Sequence, residues 1–268
     1  MTDRFAVQVA QYQARGFALF RNVLDESLIL EVRDHIDWLL DRNPDLRPEQ
    51  LGHTLMTDDP FWVRLVSDDR LLDIAEAFLG PDIALFASHY IAKPPRDGQK
   101  VLWHQDGSYW PLEPMEVVTL WLSIDRSDRE NGCMRVLPAT HDRKLIDEDA
   151  LEQVDDGLNV LGTGIRPDEL PLDSAVDVVL EPGDVSVHHP NVIHGSEGNL
   201  SDRWRRGLTI RYIPATTKII TDGVWPSAFM LRGVPSPQVN RYQNRPAYRE
   251  GVHMPFRGAE QWNKEVSI

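Results

Sequence analysis

The residues best placed by type and spacing to do chemistry are two His-x-Asp triplets, His35-Ile36-Asp37 and His104-Gln105-Asp106. An imidazole and a carboxylate two residues apart can grip one divalent ion only if both project to the same side of the chain. On a helix, positions i and i+2 point about 200° apart, whereas on an extended chain they share a side. The first triplet lies inside DESLILEVRDHIDWLLDR, residues 25–42, where apolar positions 28, 29, 30, 32, 36, 39 and 40 keep a helical spacing. His35 and Asp37 are therefore expected on the polar face of that helix, not at a metal. The second triplet, in LWHQDGSYW, sits where an extended segment meets a turn, and its two side chains can reach a single ion.

A third ligand has to come from a distant strand. VSVHHPNVIHGSEGN offers His188, His189 and His194. His188 and His189 point to opposite faces of an extended chain and are expected to be structural, in the core or at the surface. His194 ends the apolar step Val192-Ile193, immediately before Gly195-Ser196 where a strand would turn, and is the preferred ligand. Two histidines and one carboxylate that leave three adjacent positions open form the facial triad of non-haem Fe(II) oxygenases. The open positions let O2 and an electron-donating co-substrate meet at one ion, which a closed four-ligand zinc site would not permit.

Beyond His194 the chain reads GSEGNLSDRWRRGLTIRYIP, with Arg203, Arg205 and Arg206 ahead of a strand. A 2-oxoglutarate co-substrate would offer a keto-acid end to the metal and a free carboxylate at its other end. A planar two-donor guanidinium suits that carboxylate best. Arg205, Gly207, Thr209 and Arg211 would share one strand face, and Arg206, Leu208 and Ile210 the other. Only one of these faces can line a site.

The elements that must position these residues follow from the pattern. GFALFRNV, residues 16–23, has the texture of a short strand. DDRLLDIAEAFLG, residues 68–80, makes a second amphipathic helix closed by Gly80. From Ile83 the texture changes. IALFASHYIAK, VVTLWLSID, CMRVLPAT, AVDVVLE, DVSVHH and RRGLTIRYIP are short, rich in β-branched and aromatic residues, and separated by turn signals. KPPRDG and EPGD are two such signals, and Asn131-Gly132 is a strong tight-hairpin signal. Strands at such intervals indicate a sandwich or barrel and not alternating βαβ units. Residues 142–173 are polar, acidic and long for a connection, as expected of a lid. With no repeat and no linker, one domain is expected.

Composition narrows the partners. The 268 residues, 41% hydrophobic, can build a sizeable core. A net charge of −14 argues against nucleic acid and against an anionic membrane surface. The single cysteine, Cys133, cannot form an internal disulfide, which suits a cytoplasmic location. The N-terminus lacks the basic start and apolar core of a signal peptide. No apolar run approaches the ~20 residues that span a bilayer.

Several ordered blocks together resemble the phytanoyl-CoA dioxygenase (PhyH) family of Fe(II)/2-oxoglutarate-dependent oxygenases. They are AKPP at 92–95, WHQDGSYW, WLSIDRSDRENGCMRVLPATH at 121–141, EPGDVSVHHPNVIHGS and RRGLTIRYIP. The resemblance covers roughly residues 16–232. It implies a mainly β chain with N-terminal helices, built as a double-stranded β-helix, the jelly roll shared with cupins. The layer of helices would span about 1–80, the jelly-roll core about 83–215 and a C-terminal extension 216–268.

The resemblance carries His104, Asp106 and His194 over as the iron ligands. In the family the co-substrate arginine lies eleven residues after the distal histidine, which selects Arg205. Gln105, Trp121 and Ser196 correspond to positions near 2-oxoglutarate, and Thr209 is a further candidate to assist Arg205. His89 takes a position near the co-substrate that is not usually histidine. Donation to the keto-acid carboxylate, contact with substrate and a plain core role all stay open for it. Related halogenases replace the carboxylate ligand with halide, so Asp106 favours hydroxylation.

The implied activity is hydroxylation of an unactivated C–H in a small organic substrate, with release of succinate and CO2. Desaturation, epimerisation or cyclisation by the same iron chemistry is the alternative, with a non-enzymatic jelly-roll binding module behind it. Tyr109, Trp110, Met134, Trp225, Phe229 and Arg211 are the candidate substrate-pocket residues. Residues 142–173 and DGVWPSAFMLRG, 222–233, are where the pocket is expected to vary. No basic cluster favours a CoA thioester.

Overall fold

The structure, a computed structural model, describes residues 4–147, 151–154, 157 and 159–266. Its helices are α1 (Ala6–Arg15), α2 (Glu26–Arg42), α3 (Pro60–Val66), α4 (Asp69–Leu79) and α5 (Ala259–Val266). The strands that build the two main sheets are β1 (Phe17–Phe20), β2 (Leu51–Gly52), β3 (Ile83–Tyr90), β4 (Val101–His104), β5 (Val118–Ser123), β6 (Arg135–Val136), β7 (Val176–Asp177), β8 (Val185–His188), β9 (His194–Ser196), β10 (Gly207–Pro214) and β11 (Phe229–Arg232). The large sheet runs β1-β8-β5-β10-β3-β11, with β2 also paired to β3. The small sheet runs β7-β6-β9-β4, and every pairing in both sheets is antiparallel.

Strict alternation gives the large sheet two different faces. Leu120 and Leu122 of β5, Val185 and Val187 of β8, and Leu208 and Ile210 of β10 turn to one side. There they pack into a single core with Leu28, Ile29, Val32 and Ile36 of α2 and Leu71, Leu72 and Ile74 of α4. Burying each such side chain contributes about 1.5–3 kcal/mol, and this holds the helices on the sheet. The interleaved residues Trp121, His188, Thr209 and Arg211 turn to the opposite side. There they line a cavity together with His104, His194, Gly195 and Ser196 of the small sheet. The cavity therefore lies between the two sheets, with the helices on the far side of the larger one.

Local signals account for the helix ends. Asp25 accepts the Leu28 amide at the start of α2, Asp68 accepts the Arg70 amide at the start of α4, and Gly80 closes α4 at φ +83°. Two expectations need correction. His35 is not on a polar face: it is 0% exposed, while Leu30 is 48% exposed. The buried stripe of α2 passes through 28, 32, 35 and 39, and the imidazole is accommodated there because both nitrogens are used. Nε2–H donates to the Asp59 carboxylate at 3.1 Å and Nδ1 accepts from the Tyr90 hydroxyl at 2.9 Å. Asp37 is exposed, as expected.

Asn131-Gly132 does not make a tight hairpin. A short 3-10 turn capped by Asp128 precedes Gly132 at φ +74°, and the chain then crosses from β5 in one sheet to β6 in the other. Asn131 donates to the Arg126 and Trp204 carbonyls, which ties the crossing down. β1 joins the large sheet beside β8, and residues 216–268 supply the edge strand β11 and the helix α5. Among the described residues no helix is long and apolar enough to cross a membrane.

Candidate active site

Antiparallel register builds the centre of the cavity. His194 of β9 is the direct cross-strand partner of His104 at the end of β4, and their rings lie 4.2 Å apart. One residue past β4 the chain turns into a short 3-10 segment beginning at Asp106, which brings the carboxylate back beside the imidazoles. Ligand atoms of His104, Asp106 and His194 all lie within 4.8 Å of one another, and all three residues are buried. His104 Nδ1–H donates to the Leu102 carbonyl at 2.7 Å, and His194 Nδ1–H donates to the Val192 carbonyl at 3.1 Å. These bonds fix the tautomer that leaves each Nε2 lone pair free for a metal. Nε2 of His104 lies 3.4 Å from Asp106 Oδ1. Two imidazoles and one carboxylate with their other atoms satisfied fit a divalent iron.

Electrostatics agree with that donor set. Burial alone would raise the pKa of Asp106, but Arg211 and the histidines around it outweigh burial and hold the carboxyl well below its usual range. Burial, reinforced by the neighbouring imidazoles, keeps His194 neutral. A deprotonated carboxylate and a neutral imidazole are the forms that bind metal.

Three strands place the other cavity residues in rows. Thr209 of β10 stands in register with Trp121 of β5 on one side and His89 of β3 on the other. One rung along, Arg211 stands between Thr119 and Ala87, and Thr119 faces His188 of β8. Gly207 lets the Trp121 indole lie flat across its strand, because a Cβ at 207 would fall 2.1 Å from the ring. The cavity measures about 140 Å³, far more than the roughly 10–15 Å³ one water needs, so it can admit a molecule of several heavy atoms.

Arg205 lies at one end of this space, 2% exposed. Its guanidinium donates to the Gly132 and Ile91 carbonyls and to Ser196 Oγ, and it lies over the Trp121 ring at 5.3 Å. Burial lowers its pKa to about 10, so it stays charged near neutrality. Lys93, which the sequence reading did not single out, lies beside it at 0% exposure. Its Nζ donates to Ser196 Oγ at 2.7 Å and to the Glu197 carbonyl. Burial, followed by the nearby Arg205 charge, pushes Lys93 well below its ordinary pKa. A buried guanidinium with no carboxylate among the described residues within bonding distance is a receptor for an anion. Arg203 and Arg206, by contrast, pair with Asp128 and Asp125 outside the cavity.

Most of the candidate residues converge on this cavity. His89, Tyr109, Trp110, Trp121, Met134, Ser196, Thr209 and Arg211 all line it. Val160 and Leu161 reach it from the 142–173 segment, the expected lid. Gln105 does not line it. Lying between His104 and Asp106 on an alternating chain, it turns away and spends its amide on the Asn191 carbonyl and the Ile146 N–H. Trp225 and Phe229 are also outside. Trp225 stacks on Phe86 and Phe229 packs on Trp62, so the 222–233 stretch contributes no lining.

His89 loses one of its open roles. Its Nε2–H donates to the Glu49 carbonyl at 2.7 Å, and burial lowers its pKa to about 4. The ring is neutral and its remaining nitrogen can only accept, so it cannot donate to a carboxylate. His188 is the main residue that spacing missed. Instead of filling core or surface, it faces the cavity and donates to Asp106 Oδ2 at 3.2 Å. His189, on the opposite face, packs against Tyr12 and His141. The available signal for His188 was alternation, which puts it on the face opposite Val185 and Val187.

Comparison with known proteins agrees with this architecture. The pattern of the phytanoyl-CoA dioxygenase (PhyH) family matches residues 12–207. The peroxisomal phytanoyl-CoA dioxygenase of Bos taurus is 28% identical over 236 residues, covering 78% of this chain and 68% of that protein. Among solved structures, the non-haem monooxygenase ThoJ in its apo form superposes with a TM-score of 0.75 at 21% identity, covering 96% of this chain and 94% of that one. EctD from S. alaskensis, solved with 2-oxoglutarate and 5-hydroxyectoine, superposes with a TM-score of 0.67 at 19% identity, covering 90% and 88%. At these identities the superpositions show a shared fold.

Proposed function

Because the chain belongs to the phytanoyl-CoA dioxygenase (PhyH) family and is a 2-oxoglutarate-dependent dioxygenase using iron, we propose that it hydroxylates an unactivated C–H of a small organic substrate. In this reading the two sheets form a double-stranded β-helix within a single catalytic domain. The observation that carries the reading is the buried His104, Asp106 and His194 cluster opening into the same cavity as Arg205.

His104, Asp106 and His194 would hold Fe(II), with each imidazole aimed by its Nδ1–H bond to a backbone carbonyl. When bound, iron with 2-oxoglutarate and O2 supplies an oxidant strong enough to take hydrogen from an unactivated carbon, releasing succinate and CO2. Arg205 pairs with the distal carboxylate of 2-oxoglutarate, while Lys93 holds Ser196 in place beside it. Trp121 and Thr209, in register on neighbouring strands, form one wall of the cavity, and Val160 and Leu161 help exclude water. No protein nucleophile or general base is required.

The test is succinate formation from 2-oxoglutarate with Fe(II) and O2, together with the mass of the product. Hydroxylation adds one oxygen, whereas desaturation removes two hydrogens. Asp106→Ala retaining normal turnover would overturn the assignment.

A further inference from the structure

Arg211 helps to hold Asp106 ionised, but the reading above gives its guanidinium no substrate or co-substrate to bind. Its guanidinium lies 5.2 Å over the Trp110 ring, and Nη1–H donates to Thr209 Oγ1 at 3.0 Å. Nη2 is 3.9 Å from Asp106 Oδ1, too far for a hydrogen bond, and Nε is buried with no partner among the described residues. Among the described residues, the two donors of the Nε–Nη2 edge therefore lack a hydrogen-bonded acceptor. That edge is the planar fork that matches two oxygens on one atom.

Arg211 cannot be a second anchor for the same end of 2-oxoglutarate. It lies six residues beyond Arg205 along an extended chain, a path of about 20 Å. Arg205 is on the Ser196 side of the cavity and Arg211 on the Asp106 side.

Charge balance points the same way. Counting only the charged side chains that line the cavity besides Arg211, the two charges of Fe(II), together with Asp106, Arg205 and a 2-oxoglutarate dianion, cancel. His53 and His89 beside Arg211 are neutral, each lowered to about 4 by burial and further by the Arg211 charge. Arg211 then leaves one positive charge in a buried space, which a single negative charge on the primary substrate would balance.

We propose that Arg211 binds a carboxylate of the primary substrate, so that the enzyme acts on small organic carboxylates whose apolar body lies against Trp110, Tyr109, Val160 and Leu161. This rests on the iron and 2-oxoglutarate reading of the same cavity. One guanidinium in a cavity of about 140 Å³ suits a compact monoanion and not a polyphosphate.

The experiment is anaerobic calorimetry on the full chain. Binding of 2-oxoglutarate is measured first, with and without Fe(II). Loss of iron-dependent 2-oxoglutarate binding in the unmodified protein would overturn the underlying reading, and this proposal with it. The loaded protein is then titrated with matched pairs: 3-phenylpropionate and its amide, cyclohexanecarboxylate and its amide, hexanoate and its amide, with phenylphosphonate as a separate arm.

At least one carboxylate is expected to bind tenfold or more tightly than its amide. Arg211→Gln should reduce that ratio below twofold, measured on protein saturated with Fe(II) and 2-oxoglutarate. Arg211→Lys, which keeps the charge but not the fork, should retain part of the preference. The proposal is overturned if no carboxylate in the unmodified protein exceeds its amide by fivefold, a comparison that needs no variant. It is also overturned if the preference survives Arg211→Gln, or if Arg211→Lys, which keeps the charge beside Asp106, loses Fe(II) or 2-oxoglutarate affinity tenfold, which would make Arg211 only a support for Asp106. An Arg211-dependent gain seen only for the phosphonate would overturn the carboxylate class.

Discussion

His188 and Thr119 both donate to the same oxygen of Asp106, Oδ2, each at 3.2 Å, which turns the other oxygen, Oδ1, toward His104 Nε2. The carboxylate is thereby fixed in rotation before any metal arrives. His188→Phe keeps the ring volume and removes the donor. It should weaken Fe(II) binding about 10–100-fold, the usual loss when a partner of a metal ligand is removed. Competition with a chromophoric chelator under nitrogen measures this. A change under threefold would reduce His188 to packing.

Arg205 is the buried cation assigned to the distal carboxylate of 2-oxoglutarate. A charge-assisted hydrogen bond contributes about 1.5–3 kcal/mol, so Arg205→Met should raise the 2-oxoglutarate KM roughly 10–100-fold. Arg205→Lys should recover only part of this, because the two-donor fork is lost. Steady-state kinetics with 2-oxoglutarate varied at fixed Fe(II) decides it, and an unchanged KM would remove Arg205 from the co-substrate site.

Gly207 is needed for space and not for backbone freedom. An added Cβ would meet Trp121 Cζ2 at 2.1 Å, so Gly207→Ala must displace the indole that lies under Arg205. Overpacking of this kind costs about 1–3 kcal/mol. A lower Tm and a weaker 2-oxoglutarate KM should appear together. A variant with native Tm and KM would show that the ring yields freely.

Burial lowers the pKa of His53, His89 and His189 to about 4 each. Their ordinary value is about 6.5, so between those limits the unfolded chain binds protons that the folded chain refuses. The stability these three groups contribute is therefore full above about pH 6.5 and falls as pH drops toward 4. His89, the most enclosed of the three, contributes a slope of about 1.4 kcal/mol per pH unit in that window. His89→Gln keeps a donor for the Glu49 carbonyl and should flatten the slope. Urea unfolding at a series of pH values between 7 and 4.5 reads it directly.

Much of the site was legible in the chain itself. His194 was marked by its place between the apolar step Val192-Ile193 and the turn at Gly195-Ser196. The i, i+2 spacing of His104 and Asp106 on an extended segment and the shared face of Arg205, Thr209 and Arg211 follow from the two-residue period of a strand. So does the exclusion of Gln105 from the cavity, though its family position argued otherwise. Local periodicity determines which side of a strand a residue takes, because that depends only on backbone geometry within a few residues.

What lies on that side was decided by tertiary structure alone. Register across β8, β5 and β10 set His188 against Asp106 and Arg211 beside Thr119. The packing of α2 on Tyr90 and Asp59 turned His35 from an expected surface residue into a buried, fully bonded one. The crossing from β5 to β6 overrode the hairpin signal of Asn131-Gly132. Each depends on a partner tens of residues away, and sequence spacing carries no information about a contact whose free energy comes from the distant side chain.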